Sequence, residues 1–255
     1  MLIIKNLSVK YGNKQVINDV SFDVASNASF GGGELCALLG LNGSGKTTLL
    51  KGLCRLASVT GGRFYCDDID LTDLNEKKRA RYISYIPQRH SKLIGISVLD
   101  AVLMGLNTRL GVFESPSEAH KKEAIRALEK LEISHLAGED FSHLSEGQKQ
   151  LVILARTLMQ NTPVMLLDEP DSSLDFPNKH MSLSKIRDLV HVENKACIVT
   201  LHDPNLALKY CDKLVLLDKG KVVSTLIVAE AGEEDINKCL NLIYTDVNCL
   251  CFKHD

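Results

Sequence analysis

An eight-residue stretch, Gly40-Leu-Asn-Gly-Ser-Gly-Lys-Thr47, constrains the fold more than any other part of the sequence. It matches the pattern G-x-x-x-x-G-K-[ST], in which glycines let the backbone curl so that successive N–H groups point into one concavity. An apolar run from Leu35 to Leu39 precedes it and predicts a buried strand, and a helix is predicted from Lys46 to Leu56. This order is typical of a phosphate-binding loop, because the helix N-terminus adds a positive dipole. The alternative is a structural glycine-rich turn.

The residue types of this loop predict the chemistry of a bound nucleotide. Lys46 is expected to reach the β- and γ-phosphates, and the hydroxyl of Thr47 can ligate Mg²⁺. ATP and Mg²⁺ are therefore the predicted ligands. The candidate nucleotide-binding residues of the loop are Asn42, Gly43, Ser44, Gly45, Lys46, Thr47 and Thr48.

A second apolar run ends in two acids: Val164 to Leu167 is followed by Asp168 and Glu169. A carboxylate at the end of a buried strand, beside a phosphate loop, can hold Mg²⁺ through water, and Asp168 fits that role. Glu169 can polarise the attacking water as a general base. The alternative is a strand that simply leaves the core for solvent.

Short β-rich runs alternate with helical segments along the chain, which predicts an α/β fold. Leu2 to Val9 and Val16 to Val24 form two predicted strands joined by a turn, and residues 89 to 160 are mainly helical. The predicted architecture is a P-loop NTPase core with a mainly parallel sheet, an N-terminal antiparallel β subdomain and an inserted helical subdomain. We expect one domain, 1–255, with the helical subdomain at roughly 89–160.

Composition narrows the function classes. The 255 residues are 45% hydrophobic and 24% charged with a net charge of −2, so no global basic field indicates nucleic acid as a partner. Eight cysteines lack any C-x-x-C pair, which favours reduced thiols over a metal or disulfide framework. The start of the chain lacks the pattern of a secretory leader, and no apolar run approaches ~18 residues. Any membrane crossing is expected to belong to other chains.

A third motif, Leu144-Ser145-Glu146-Gly147-Gln148, stands shortly before the Asp168 strand. It resembles the signature of ATP-binding cassette (ABC) ATPases, usually written LSGGQ, and the resemblance covers essentially the whole chain. Glu146 departs from that signature by replacing its first glycine, and a carboxylate there is expected to lower the hydrolysis rate unless it points outward. Asp171 stands where the family commonly has threonine.

The resemblance implies roles for further residues. Tyr11 matches the aromatic residue that stacks on adenine, Gln88 the glutamine that touches Mg²⁺ and water, and His202 the histidine that contacts the γ-phosphate. Asp175 closes Ser172-Ser-Leu-Asp175, which matches the loop that crosses to a second subunit. Each residue also has a structural alternative, such as turn packing for Tyr11, a helix cap for Gln88, or a strand-end contact for His202.

In that family the signature faces the phosphate loop of a second subunit. Ser145 is predicted to begin a helix, so its hydroxyl, the Gly147 N–H and the helix dipole would form an anion site, with Gln148 beside it. The resemblance therefore implies a homodimer that forms on ATP binding, with Glu169, His202, Gln88 and Lys46 as the catalytic set and Thr47, Gln88 and Asp168 at the metal.

The segments Ile96–Gly105, Gly111–Ser117 and His202–Ala207 resemble the importer subgroup for iron–siderophore, haem and cobalamin, with related oxyanion systems. This implies integral membrane permease subunits, indirectly a solute-binding protein, and a place on the cytoplasmic face of the membrane. Arg89 and His90 are the predicted permease contacts. The alternatives are a soluble ABC ATPase of iron–sulfur cluster assembly, which predicts no permease, and a small-molecule kinase, which leaves the signature unexplained.

Overall fold

The computed structural model describes residues 1–27, 32–88, 93–111 and 114–244. The predicted permease contacts Arg89 and His90 lie outside these residues, as do Cys249 and Cys251. The strands are β1 (Leu2–Tyr11), β2 (Lys14–Val24), β3 (Ser26–Asn27), β4 (Gly32–Leu39), β5 (Ser58–Cys66), β6 (Ile69–Asp70), β7 (Ile83–Ile86), β8 (Val164–Asp168), β9 (Ala196–Thr200), β10 (Lys213–Asp218) and β11 (Lys221–Ile227).

The helices follow the strands in alternation over most of the chain. Ser97, Ser117, Ser145 and Asp175 each accept a hydrogen bond from the first turn of the helix that they precede. The helices are α1 (Lys46–Leu53), α2 (Glu76–Arg79), α3 (Val98–Leu103), α4 (Glu118–Lys130), α5 (Glu146–Gln160), α6 (Phe176–Val192), α7 (Pro204–Tyr210) and α8 (Glu233–Leu240).

The main sheet has the strand order β11-β10-β4-β9-β8-β7, and β3 pairs with β4. The pairs from β10 through β4, β9 and β8 to β7 are parallel, whereas β11 and β3 run antiparallel to their neighbours. The carboxyl ends of β4, β9, β8 and β7 therefore lie at one edge of the sheet. This confirms the predicted α/β core with a mainly parallel sheet.

The N-terminal antiparallel sheet is larger than the two strands that the sequence predicted. Its order is β2-β1-β5-β6. The β5 segment, Ser58–Cys66, escaped prediction because Gly61 and Gly62 interrupt its β-type pattern. Gly62 has φ 77°, and a Cβ there would stand 2.2 Å from the Asn6 carbonyl oxygen, so glycine is required where β5 crosses β1.

The two faces of β4 belong to two hydrophobic clusters. Leu35, Ala37 and Leu39 pack with residues of α3, α4 and α5, whereas Cys36 and Leu38 pack with the N-terminal sheet and α1. The alternation follows from the period of two along a strand. Helices α3 to α5 therefore share a core with one face of the main sheet.

The described cysteines are free thiols, as the sequence predicted. Cys36, Cys66, Cys197, Cys211 and Cys239 are buried and Cys54 is half-buried. Burial raises the pKa of Cys54 to about 12 and that of Cys66 to about 11, so both stay protonated near neutral pH. No helix in the described part of the chain is both long and apolar enough for a bilayer crossing.

Candidate active site

Neighbouring strands place the predicted site residues at the carboxyl edge of the main sheet. The glycine-rich loop follows β4, Asp168 ends β8 with Glu169 directly after it, and His202 stands two residues beyond β9. Gln88 stands two residues beyond β7. Because β4, β9, β8 and β7 are parallel neighbours, residues separated by more than a hundred positions in the chain meet at this edge.

The glycines of the loop hold the conformation that a phosphate cradle requires. Gly43 and Gly45 have φ of 80° and 110°, in the region that favours glycine. A Cβ at Gly45 would lie 2.7 Å from Cδ1 of Ile17 on β2, whereas a Cβ at Gly43 would meet no atom within 4 Å. The loop thus packs against β2 at Gly45 and leaves open space at Gly43.

Lys46 is buried at the start of α1, and its ammonium group turns back onto its own loop. Nζ donates to the carbonyl oxygen of Gly40 at 2.7 Å and to that of Leu41 at 3.5 Å. Burial lowers the pKa of Lys46, while the nearby carboxylates of Glu169 and Asp168 act in the opposite direction. Beside it, the Ser44 hydroxyl oxygen is buried with no hydrogen-bond partner among the described residues. Both groups are suited to an anion that enters the loop.

Asp168 accepts hydrogen bonds from side-chain hydroxyls on three elements of the described structure. Thr47 Oγ1 and Thr200 Oγ1 each lie 3.0 Å from Oδ1, and Tyr85 donates its phenolic hydroxyl to Oδ2 at 3.1 Å. Burial, followed by the charge and hydrogen bond of Asp168, raises the pKa of Tyr85, which keeps the phenol a donor. These contacts orient both carboxylate oxygens of Asp168.

The donor set fits Mg²⁺, which prefers oxygen ligands and commonly shares them with substrate phosphates. Thr47 and Asp168 are the residues that would hold the ion. Gln88 is hydrogen-bonded to Glu169, the residue that follows Asp168. Among the described residues, no group of three or more His, Cys, Asp or Glu side chains could hold a metal ion alone. Bound here, the metal would neutralise charge on the β- and γ-phosphate oxygens.

Glu169 is the centre of a hydrogen-bonded group that joins three predicted catalytic residues. Gln88 Nε2 donates to Oε2 at 2.5 Å, and His202 Nε2 lies 2.7 Å from Oε1. The backbone of Glu169 has φ 48°, an uncommon value for a residue with a side chain, and its N–H donates to Thr200 Oγ1 at 2.7 Å. The structure thus brings Gln88, Glu169 and His202 together.

Tyr11 lies on the wall of a groove beside the loop. The groove has a volume of about 480 Å³ and is lined by Tyr11, Lys14, Gln15, Val16, Asn18, Gly43, Gly45, Thr47, Thr48 and Lys219. Tyr11 is 58% exposed, which suits an aromatic residue that stacks on a bound base. Lys51 Nζ lies 5.4 Å from the ring centroid. The groove joins the predicted adenine contact to the phosphate loop.

The signature residues form the N-terminus of α5. Ser145 Oγ accepts from the Gln148 N–H at 3.3 Å, and Gln148 Oε1 accepts from the Ser145 N–H at 3.0 Å, a reciprocal capping box. The carboxylate of Glu146 pairs with Lys149 at 2.8 Å, and its side chain is 60% exposed. The Glu146 carboxylate is therefore exposed on the surface of the chain, with its charge partly balanced by Lys149.

The same surface carries the N-terminus of α6. Asp175 caps that helix by accepting from the Asn178 N–H at 3.1 Å. A Cβ at Gly147 would lie 3.2 Å from Oδ1 of Asn178, so the signature glycine allows the start of α5 to approach the first turn of α6. Ser145, Gly147, Gln148 and Asp175 thus belong to one cluster of two adjoining helix ends.

Three residues around the carboxylates had no site role in the sequence analysis, although Asp171 was noted there as a departure from the family pattern. Tyr85 and Thr200 contact Asp168 from the neighbouring strands. Asp171 is 5% exposed, its Oδ1 is buried with no hydrogen-bond partner among the described residues, and Oδ2 lies 3.8 Å from Lys179 Nζ. Burial raises the pKa of Asp171, opposed by Lys179. For Thr200 the available signal was its position, because it is a polar residue that ends the buried strand β9.

Comparisons with known proteins agree with this geometry. Residues 18–172 match the family model described as ABC transporter. A "Probable iron chelatin transport ATP-binding protein" of Helicobacter pylori (strain ATCC 700392 / 26695) is 39% identical over 223 residues, covering 87% of this chain and 85% of that protein.

Two solved structures have the same fold. One is described as "An inward-facing conformation of a putative metal-chelate type ABC transporter", with TM-score 0.76, 30% identity, and coverage of 92% of this chain and 87% of the other. The second is the dimeric, post-hydrolysis ATP-binding cassette MJ0796 bound to ADP and Pi, with TM-score 0.74, 26% identity and coverage of 89% and 99%. With its phosphate loop, strand-end carboxylates and signature helix assembled as described, this chain belongs to the ABC transporter ATP-binding family.

Proposed function

We propose that this chain is a Mg-ATP-hydrolysing subunit that powers import of a metal chelate through a separate membrane permease. ATP hydrolysis is supported chiefly by the contacts of Glu169 with Gln88 and His202. Thr47 and Asp168 are hydrogen-bonded to each other next to these residues. The Glu169 carboxylate, so held, can accept a proton from water while neighbouring groups stabilise the charge of a phosphate. That arrangement is suited to phosphoryl transfer to water.

Each site residue has a proposed role in this reaction. Lys46 and the N–H groups of the loop bind the β- and γ-phosphates, and Tyr11 stacks on the base. Thr47 and Asp168 hold Mg²⁺. Glu169 acts as the general base, Gln88 positions the water, and His202 donates to the γ-phosphate once it leaves Glu169. The remaining proposed nucleotide contacts are Asn42, Gly43, Ser44, Gly45 and Thr48 from the loop.

We further propose that two copies complete each site. Ser145 is exposed at the N-terminus of α5, where a helix carries partial positive charge suited to an anion, and Gly147 and Gln148 lie in the first turn behind it. In a head-to-tail dimer this end would face the γ-phosphate bound to the partner, with Asp175 nearby. The dimeric form of the MJ0796 cassette supports this arrangement.

The transport partners follow from the relatives. Both the iron chelatin relative and the metal-chelate type structure support a metal chelate as cargo, such as iron–siderophore, haem or cobalamin. Permease subunits would place the chain on the cytoplasmic face of the membrane, and a solute-binding protein would deliver the cargo. We treat 1–255 as one ATPase domain whose helical subdomain, roughly 89–160, faces the permease. No feature of the described structure favours the iron–sulfur assembly alternative.

The first experiment measures steady-state ATP hydrolysis of the wild-type chain and Glu169→Gln. Glutamine keeps the hydrogen-bonding shape but cannot accept the proton, so kcat is expected to fall roughly 10²–10⁴-fold with ATP affinity retained. Unchanged turnover in Glu169→Gln would refute the assignment of the base.

The second experiment tests the transport role. The chain is co-expressed with a candidate permease from its source organism, and the permease is purified by an affinity tag in mild detergent. Stoichiometric recovery of this chain, together with ATP-dependent chelate uptake into vesicles, is expected. Absence of both would favour a role without a permease.

A further inference from the structure

Thr200 occupies a position between the two acids of the site. It is fully buried at the end of β9 and stands opposite Asp168 in the register of β8 and β9. Its Oγ1 accepts the Glu169 N–H at 2.7 Å and donates to Asp168 Oδ1 at 3.0 Å. One hydroxyl therefore contacts both the proposed metal carboxylate and the backbone of the proposed general base.

The single proton of the Thr200 hydroxyl limits which of its two contacts it can donate to. A threonine hydroxyl has one proton and two acceptor sites. Because an acceptor site of Thr200 is taken by the Glu169 N–H, the single proton can be directed to Asp168. The hydroxyl thus links the peptide of Glu169 to the Asp168 carboxylate.

The backbone of Glu169 has an uncommon conformation at this link. Its φ of 48° lies in the left-handed region, which a residue with a side chain occupies only where the surrounding structure holds it there. The bond from its N–H to Thr200 is a restraint at that peptide. This conformation aims the Glu169 carboxylate at Gln88 and His202.

We propose that Thr200 is a positioning residue for ATP hydrolysis. Its hydroxyl fixes the Asp168 carboxylate and the Glu169 backbone relative to each other. This role rests on the proposed function, since it concerns the same metal carboxylate and general base. Valine has the shape of threonine without the hydroxyl, so Thr200→Val leaves the Glu169 N–H without its acceptor in a buried place. Asp168 would still accept from Thr47 and Tyr85.

We therefore expect Thr200→Val to lower the kcat of ATP hydrolysis more than it changes ATP binding. Misplacing a reacting group by about 1 Å can reduce a rate on the order of 100-fold. We expect kcat of Thr200→Val to fall about 10–100-fold, with the KM for ATP changed by less than about threefold. Thr200→Ser restores the hydroxyl and should recover most of the wild-type kcat.

The control is Thr157→Val. Thr157 is likewise buried, but its hydroxyl donates at 2.9 Å to the Ile153 carbonyl within α5, away from the carboxylates. Wild type, Thr200→Val, Thr200→Ser and Thr157→Val are compared as full chains by thermal unfolding, by kcat and KM, and by ATP affinity with and without Mg²⁺. In Thr200→Val we expect a smaller gain in ATP affinity on adding Mg²⁺ than in Thr157→Val.

The outcomes separate this role from the proposed function. Wild-type kcat in Thr200→Val, or an equal fall in Thr157→Val, overturns the positioning role. Glu169→Gln is assayed in parallel: if it hydrolyses ATP normally, the base is wrongly assigned and the role of Thr200 falls with it. If Glu169→Gln is inactive while Thr200→Val is normal, only Thr200 is wrong. Should Thr200→Val fail to fold, Thr200→Ala replaces it, since alanine also removes the hydroxyl, and wild-type kcat there overturns the proposal.

Discussion

At the scale of single residues, Lys46 illustrates how the site is prepared for an anion. Its ammonium group is buried, and its bonds to the Gly40 and Leu41 carbonyls are contacts that a phosphate can replace with stronger charge-assisted ones. The cost of keeping this charge inside the protein is reflected in its lowered pKa. A ligand of opposite charge would offset that cost.

Lys46→Ala is therefore expected to reduce ATP affinity. Loss of a charge-assisted hydrogen bond costs about 1.5–3 kcal/mol, which is roughly 10–150-fold in the dissociation constant. Titration calorimetry with ATP measures the change. The control is Lys185→Ala, a lysine on α6 that pairs with Glu132 at 3.0 Å. Equal affinities in the two variants would contradict the role of Lys46.

Asp171 predicts a pH-dependent change in stability. Because burial raises its pKa in the folded chain, the ionised carboxylate opposes folding at neutral pH, and this penalty fades as the pH falls through the raised pKa toward the ordinary value. Asp171→Thr should raise the melting temperature near neutral pH by roughly 2–4 °C, corresponding to about 1 kcal/mol.

Differential scanning calorimetry at a series of pH values from about 7 down to about 4 tests this dependence, and the gain should shrink as the pH falls through the raised pKa toward the ordinary value. The exposed Asp188→Asn substitution serves as the control. A gain that stays constant over the whole series would mean that the Asp171 carboxylate is not the cause.

At the scale of elements, two helices of the chain begin with the same device. Ser145 caps α5 and Ser117 caps α4, and in each case the third helical side chain accepts from the backbone of the serine. Ser117 and Ser145 therefore make the same kind of capping contact, at different places in the fold. Comparing substitutions at the two serines distinguishes a loss of helix stability from the loss of an anion site.

Ser145→Ala and Ser117→Ala should each lose about 0.5–2 kcal/mol of unfolding free energy. Only Ser145→Ala should also lower ATP hydrolysis, because its hydroxyl and helix end are proposed to face the partner's γ-phosphate. Urea unfolding and an ATPase assay on both variants make the comparison. Full hydrolysis by a folded Ser145→Ala chain would argue against the signature as part of the site.

At the scale of the whole molecule, one chain presents the phosphate loop and the signature as separate parts. A dimer with both nucleotides between its subunits would join the parts, and ATP bound to a chain that cannot hydrolyse it should hold the dimer together. We expect Glu169→Gln to be monomeric without nucleotide and to double its mass with Mg-ATP, as measured by sedimentation or light scattering.

The control for this experiment is the double variant Lys46→Ala/Glu169→Gln, which should stay monomeric with Mg-ATP because nucleotide no longer binds well. A Glu169→Gln chain that remains monomeric at high concentration with saturating Mg-ATP would contradict the two-copy site.

The sequence predicted elements well where a local pattern was strong. The strand–loop–helix around Lys46 and the helix that starts at Ser145 were predicted close to their observed bounds, because glycine and capping chemistry are local. Strand β5 was missed because it contains Gly61 and Gly62. Glycine is needed there where β5 crosses β1, and that contact joins segments that are distant in the sequence. Helix α6 (Phe176–Val192) was not predicted, because runs of polar residues interrupt its apolar pattern and its N-cap, Asp175, was noted only by resemblance.

By itself, the sequence determined the chemistry of this protein: a phosphate loop, two strand-end acids, and a signature that begins a helix, since each motif is a short run whose backbone needs are met locally. Only the tertiary structure decided which side chains touch. The order β4-β9-β8-β7 sets Thr200 beside Asp168 and brings Gln88 and His202 to Glu169. Those contacts depend on strand order and register, which are set by packing among segments far apart in the chain.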